Sequence, residues 1–376
     1  MQGLTLIGSG WHPHLFRAEI KALTGPLEVI HPRIVYIPYT DSAIRRLSRA
    51  ALLDEVLSSA GRVWLHSSIT DGEIAQHIAE WAGSNLPKGS FAVRARNLGT
   101  GIDGVSRNAI EGEVGALVMS EANPVNLESP EHEIVVVLAG PEDGPIHRDS
   151  MNFIGPKVVW GLRESAWQRE SFTGRAPTDR PFFQPASLVP RLARLLISLA
   201  HRAGVQSTTV VDPFCGTGGI AIEAALQGLE ALASDLDGRM VEGTRQNLDW
   251  AGVSASVEMS AVADVATVWG ERSDCIFAFD PPYGRSSWKS DDGLELLLEA
   301  MSAAHQIDSQ GAVCTMLPAG PETLSQESEQ NYQVMGRPWG EVEALIRERG
   351  WVPVLKSPIR VHRSLARVVV VCHPAD

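Results

Sequence analysis

At 376 residues the chain has room for two or three domains, and its formal net charge of −13 argues against sequence-blind nucleic-acid binding over a broad basic surface, leaving only a local basic strip. No stretch approaches the roughly 18 continuous apolar residues of a membrane span. Met1, Gln2 and Gly3 lead straight into Leu4 without a basic leader, and Cys215, Cys275, Cys314 and Cys372 stand apart, so the expectation is a reduced, cytoplasmic protein with no zinc ribbon, disulfide framework or other metal site.

Residues 1–60 open with a strand pattern over Leu4–Ile7, then a helix pattern over Leu15–Leu23 and a strand over Ile34–Ile37. A second helix is expected over Ile44–Ala60. His12 and His14 are spaced for a metal, but with no acid or cysteine beside them a turn or surface role fits better. Residues 61–148 read as a second α+β block: a strand at Val63–Leu65, a helix at Asp71–Trp81 with Asp71 as N-cap, a helix at Val105–Met119 and a strand at Glu133–Leu138. Between them Phe91, Val93 and Ala95 alternate with Arg94 and Arg96, which puts the two arginines together on the opposite face.

An ordinary α+β packing domain would show the same order. The alternating strand, the helix through Ile110–Leu117 and the following Pro124–Leu127 also resemble a THUMP domain. That family is paired with RNA-modifying enzymes and preceded by a small ferredoxin-like domain. The resemblance implies a ferredoxin-like domain at 1–60 and a THUMP RNA-binding domain at 61–148, with Arg94 and Arg96 as substrate contacts.

Residues 149–185 hold several breakers, among them Pro156, Gly161, Gly174, Pro177 and Pro181, and read as a linker. Lys157, Arg163, Arg169, Arg175 and Arg180 face Asp149, Glu164, Glu170 and Asp179. Solvated linker and RNA-tracking strip both remain open.

From 186 to 376 the pattern changes to alternating strands and helices. After a helix at Arg191–Ala203, the β-branched strand Thr209–Asp212 breaks at Pro213, turns on Gly216, Gly218 and Gly219, and enters an alanine-rich helix. Strand, glycine loop and helix form the first βα unit of an open α/β sheet, where ligands sit beyond the strands' carboxyl ends. Taken alone the loop could be a tight structural turn. Two later stretches weigh against that: Ala231–Ser234 runs into Asp235, Leu236 and Asp237, where a carboxylate can take both hydroxyls of a ribose, and the apolar Cys275–Phe279 ends in Asp280, Pro281, Pro282 and Tyr283. There is no Gly-x-Gly-x-x-Gly, which counts against NAD or FAD. Further on come a helix at Gly238–Ala251, a strand at Val257–Asp264, a strand at Gly311–Leu317 and a closing pair at Trp351–Leu355 and Val368–Cys372.

This half resembles the S-adenosylmethionine-dependent methyltransferases that modify exocyclic amines of nucleobases. With the amino-terminal domains and the stretch Arg360–Arg367, it resembles the archaeal and eukaryotic tRNA guanine-N2 methyltransferases acting at position 10. The resemblance implies a Rossmann-like α/β methyltransferase domain at 186–376, S-adenosyl-L-methionine as cofactor and tRNA, not DNA, as substrate. It places cofactor contacts at Asp212, Phe214, Cys215, Gly216, Thr217, Gly218, Asp235, Leu236, Asp264 and Asp280, with Gln184, Pro185 and Ala186 closing over them. Asp280, Pro281, Pro282 and Tyr283 would hold the target amine, Tyr283 stacking on the base. A small zinc-ribbon activator partners some relatives. The Asp-Pro-Pro-Tyr motif alone equally suits adenine-N6 enzymes on DNA or guanine-N2 enzymes on ribosomal RNA. A catalytically silent RNA-binding module is the alternative of another class, disfavoured because each expected catalytic position is filled.

Overall fold

A computed structural model describes residues 3–64, 69–142, 157–185, 187–282, 291–325, 331–362 and 365–375. It divides into two compact units: Met1–Arg17, Pro26–Ser48 and Leu52–Arg169 in the first, and Ala18–Gly25, Arg49–Ala51 and Glu170–Asp376 in the second. Among the described residues no helix is long and apolar enough to cross a membrane.

The amino-terminal elements are β1 (Gly3–Gly8), α1 (Pro13–Thr24), β2 (Glu28–His31), β3 (Ile34–Pro38), α2 (Asp41–Leu47), β4 (Leu53–Trp64), α3 (Asp71–Asn85), β5 (Phe91–Leu98), α4 (Arg107–Val118), β6 (His132–Ala139) and β7 (Lys157–Arg163). Their seven strands make one sheet, β2-β3-β1-β4-β7-β6-β5, antiparallel except where β5 runs parallel to β6. Ile74, Ile78, Ile110 and Val114 of α3 and α4 pack against Phe91, Val136, Val158 and Trp160 of the sheet. Thr70, not Asp71, caps α3: its hydroxyl accepts from the Glu73 N–H while the Glu73 carboxylate accepts from the Thr70 N–H, a reciprocal capping box. His12 has a local role, its Nδ1 accepting from the Leu15 N–H in the first turn of α1.

Two expectations need correction here. The helix foreseen over Ile44–Ala60 is α2 followed by the first part of β4, so the division placed at 60/61 falls inside a strand. Leu53, Val56 and Leu57 have spacings that a helix would stack, but β4 lies between β1 and β7, where the successive residues Glu55, Val56 and Leu57 are all buried and no alternation shows. The supposed linker also contains β7, whose Lys157 is buried and donates to the Ile30 carbonyl.

In the second unit come α5 (Pro190–Ala200), β8 (Thr209–Asp212), α6 (Gly219–Leu226), β9 (Glu230–Asp235), α7 (Gly238–Ala251), β10 (Ser256–Met259), α8 (Val265–Trp269), β11 (Cys275–Phe279), α9 (Asp291–Ile307), β12 (Ala312–Ala319), β13 (Gln333–Val334), β14 (Arg337–Pro338), α10 (Trp339–Arg347), β15 (Trp351–His362) and β16 (Leu365–Pro374). Strands β10, β9, β8, β11 and β12 lie side by side and parallel, and β16 pairs antiparallel with β12 and β15. This is a Rossmann-like sheet. The chain steps from β8 to β9 and β10 on one side and returns to β11 and β12 on the other, so the crevice opens at the carboxyl ends of β8 and β11.

The end of the supposed linker is folded into this unit. Arg194 Nε meets Glu223 Oε2 at 3.0 Å, Arg175 Nε meets Glu223 Oε1 at 3.2 Å, and Glu170 bridges both arginines at 2.8 and 3.0 Å. The Phe172 ring faces the guanidinium groups of Arg175 and Arg191, each 5.4 Å from its centroid. Asn247 closes the far end, donating to the Phe182 carbonyl at 2.9 Å and accepting from its N–H at 3.0 Å. Lys157 and Arg180 are buried and Arg175 is clamped to Glu170 and Glu223, while Arg163 and Arg169 stay about half exposed in ion pairs with Glu133 and Asp54.

Candidate active site

The turn after β8 is built from its sequence outward. Gly216 and Gly218 have φ of +52° and +79°, a region that costs any residue with a Cβ. A methyl group on Gly218 would also lie 2.9 Å from Thr244 Cγ2. The Cys215 N–H donates to the Ser234 carbonyl at 2.8 Å, the Gly218 N–H to the Cys215 carbonyl at 2.7 Å, and the Thr244 hydroxyl to the Gly216 carbonyl at 2.9 Å. Helix α6 then starts at Gly219.

Asp235, the last residue of β9, ties two turns together: one carboxylate oxygen accepts from the Gly216 N–H and the other from the Asp237 N–H, both at 2.9 Å. Asp237 has other work, capping α7 and pairing with Arg239 at 2.7 Å. Leu236 between them is 74% exposed, an apolar surface left open beside a carboxylate.

These residues share one cleft of about 630 Å³. Asp212, Phe214, Cys215, Gly216 and Thr217 form one wall, and Asp235, Leu236, Met240, Ala261 and Val262 another. Asp280, Pro281 and Pro282 close the β11 end with Arg367, and Gln184, Ser187 and Leu188 lie along the rim. The Thr217 hydroxyl donates to that of Ser187 at 2.9 Å, which fixes the rim to the loop. Gly218 shapes the turn without lining the cleft.

Asp280 is held by Arg367 of β16, whose Nη1 donates to Oδ1 at 2.6 Å. Burial raises the Asp280 pKa to about 6, with the neighbouring guanidinium pulling the other way. Asp212 is buried more deeply. Its pKa is pushed up to about 8 by burial, against the Phe214 N–H that it accepts at 3.1 Å, with the charges of Asp235 and Asp280 adding to the rise.

Several expected residues fall elsewhere. Strand β10 ends at Met259 and the chain tightens into a 3-10 turn at Val262–Asp264, leaving Asp264 exposed and off the cleft wall. Tyr283 and Ala186 lie outside the described residues. In the first unit Arg94 and Arg96 do not form an open cationic face. Arg94 pairs with Glu133 at 3.2 Å and donates to the Leu127 carbonyl at 2.6 Å, and Arg163 pairs with Glu55 and Glu133. Arg96 is half-buried, its Nε and Nη2 enclosed without a hydrogen-bond partner among the described residues and its pKa lowered by burial. The alternation located both side chains but could not show that strands β4 and β6 bring acids to the same face.

Arg367, the last residue of the stretch Arg360–Arg367, lines the cleft although no motif assigns it a site role, as do Met240, Ala261 and Val262. Its signal was present: a lone cation between Ala366 and Val368 in a strand that is otherwise apolar through Cys372.

The parallel sheet, glycine turn and acid-ended strands define a Rossmann-like methyltransferase. The family described as RMKL-like, methyltransferase domain, matches residues 177–347. A tRNA (guanine(10)-N2)-dimethyltransferase of Methanothermobacter thermautotrophicus is 32% identical over 329 residues, 86% of this chain and 82% of that protein. One from Pyrococcus abyssi is 29% identical over 69% of this chain and 71% of its own length. The crystal structure of TrmN from Thermus thermophilus shares the fold, with a TM-score of 0.51, 19% identity and full coverage of both chains. The chain belongs to the tRNA (guanine(10)-N2)-dimethyltransferase family.

Proposed function

We infer that this protein transfers methyl groups from S-adenosylmethionine to the N2 amine of a guanosine in tRNA, at position 10, and that it adds a second methyl as its archaeal relatives are named for doing. The observation that supports this most directly is Asp280: a carboxylate at the end of β11 that shares one cleft with the glycine turn and Asp235, in a chain of this family.

The cleft fits the cofactor. Its volume lies in the roughly 300–1,000 Å³ range of small-ligand sites, Gly216 leaves open space where a Cβ would stand, and its donors and acceptors suit an adenosine with a cationic arm. Asp235 would take the ribose hydroxyls, Leu236, Met240 and Val262 would enclose the adenine, and Asp212 would face the positive charge. When bound, the cofactor supplies a methyl already activated on a sulfonium. What the chain must do is prepare the nucleophile, because the guanine N2 lone pair is delocalised into the ring. Asp280 accepts one amine hydrogen and the Pro281 carbonyl the other, which turns the lone pair toward the cofactor side. Positive charge developing on nitrogen then meets a fixed anion, an effect of the order of 10²–10³ in rate. Tyr283, from its place in the motif, stacks on the everted base, worth roughly 1–3 kcal/mol. The product ammonium sheds its proton to solvent, so no separate base is required. We assign the first unit, by its resemblance to ferredoxin-like and THUMP domains, to tRNA capture.

The test is nucleoside mass analysis of unmodified tRNA after incubation with the chain and S-adenosylmethionine. N2-methyl- and N2,N2-dimethylguanosine should appear, and vanish when residue 10 is not guanosine. Methyl on adenine N6, or on guanosine at another site, overturns the assignment. Turnover by the chain alone shows that a zinc-ribbon activator is dispensable. Asp280→Asn should cut turnover by about 10²–10³-fold while leaving tRNA affinity near normal.

A further inference from the structure

Most of the carboxylates that line the cleft already have partners. Asp212 accepts from the Phe214 N–H and Asp235 from the Gly216 and Asp237 N–H groups, while Asp237 pairs with Arg239 and Asp280 with Arg367. Glu299 of α9 lines the same cleft, is exposed, and has neither a hydrogen bond nor an ion pair among the described residues. A glutamate on an exposed helix face ordinarily needs nothing but water. Glu299 differs in standing on the wall of a ligand cleft whose other acids are engaged.

Its place on that wall follows from the packing of α9. Leu294, Leu297 and Leu298 are buried in one core cluster with Val262 and Val265, so α9 lies against the 3-10 turn at Val262–Asp264. Glu299 borders Ala263 in a second groove of about 350 Å³ and shares the first cleft with Val262, which sets it at the end of the cleft where this turn lies. Val262 is among the residues assigned above to enclose the adenine. Apolar contacts on the faces of a base leave its edge unread, and an exocyclic 6-amine is a donor that calls for an acceptor. Asp264, the acid expected among the cofactor contacts after β10, lies off the cleft wall.

Resting on the cofactor reading above, we propose that Glu299 is the residue that specifies the cofactor's base, its carboxylate accepting a hydrogen bond from the adenine 6-amine. The acid that reads the adenine edge then comes from the helix after β11 and not from the chain after β10. A carboxylate accepts and cannot donate, so it favours a 6-amine over a purine that lacks one.

The experiment is titration calorimetry with S-adenosylhomocysteine and with its analogue built on purine riboside, which bears hydrogen in place of the 6-amine. The two ligands carry the same charge and the same N1 acceptor, so any general effect of removing an acid from the cleft cancels between them. The unaltered protein should bind the adenosine compound about tenfold more tightly. In Glu299→Ala the gap should close to within about twofold, and Glu299→Gln, which keeps an acceptor without the charge, should leave an intermediate gap. Glu295→Ala, one turn earlier on α9 and lining the second groove but not the cleft, should keep the full gap. A gap that persists unchanged in Glu299→Ala, one that closes equally in Glu295→Ala, or its absence from the unaltered protein overturns the proposal. If the unaltered protein binds neither ligand, the cofactor reading itself fails and this proposal falls with it.

Discussion

Two carboxyls in the cleft have been moved by burial, and each makes a measurable demand on pH. Asp212 has its folded pKa raised to about 8, so near neutrality most molecules carry it protonated. A bound cation favours the ionised form. Affinity for S-adenosylmethionine should therefore rise as pH climbs from 6 to 8, by at most about tenfold per unit, and level off above. Titration calorimetry in buffers of different ionisation enthalpy should show a proton released on binding at pH 7, and Asp212→Asn should abolish both effects. An affinity that is flat across this range would mean that no positive charge lies near Asp212. Asp280, raised to about 6 with Arg367 holding it down, sets the acid limb of turnover. Activity should fall as pH drops through about 6, and the limb should move to higher pH in Arg367→Ala. At Asp235 the consequence is geometric as well as electrostatic. Asp235→Ala removes the acceptor of the Gly216 and Asp237 N–H groups, so weakened cofactor binding, by roughly 1.5–3 kcal/mol, should be accompanied by loosening of the glycine turn.

Elements differ in how openly the sequence displays them. Strands β8 and β11 and helix α7 begin and end where the residue pattern places them, because each has a hard stop: Pro213 after Asp212, Pro281 after Asp280, and Asp237 and Gly252 at the two ends of α7. The cleft was legible for the same reason, since its residues follow strand ends. Strand β4 was not, because burial on both faces erases the period that separates strand from helix. Arg367 was hidden differently. It comes to Asp280 across the pairing of β16 with β12, 87 residues away in sequence, and no local spacing announces that. The ion cluster around Glu223 was equally non-local, linking α6 to α5 and to the chain at 170–175. Glu223 is fully buried and is one of two carboxylates shared by Arg194 and Arg175, so Glu223→Ala, which leaves them Glu170, should cost about 1–3 kcal/mol in urea unfolding. A change below 1 kcal/mol would show that solvent reaches the cluster.

At the scale of the whole molecule, the second unit begins at Glu170, not at 186. A fragment of residues 170–376 should unfold at a higher urea concentration than one of residues 186–376, since only the longer one keeps Glu170, Phe172, Arg175 and the Phe182–Asn247 bonds. Both omit Ala18–Gly25 and Arg49–Ala51, so the comparison is like for like. Equal midpoints would mean that the segment merely rests on the surface. The clamp also bears on how the chain is destroyed. Trypsin needs several residues drawn out on either side of an arginine, and those around Arg175, which precedes Ala176, are pinned in place. Native protein should resist cleavage there, although the run of glycines, prolines and arginines looks like an open target. With Glu223 replaced by alanine the Arg175–Ala176 bond should be cut early, and the rate of that nick would report how often the segment lifts away.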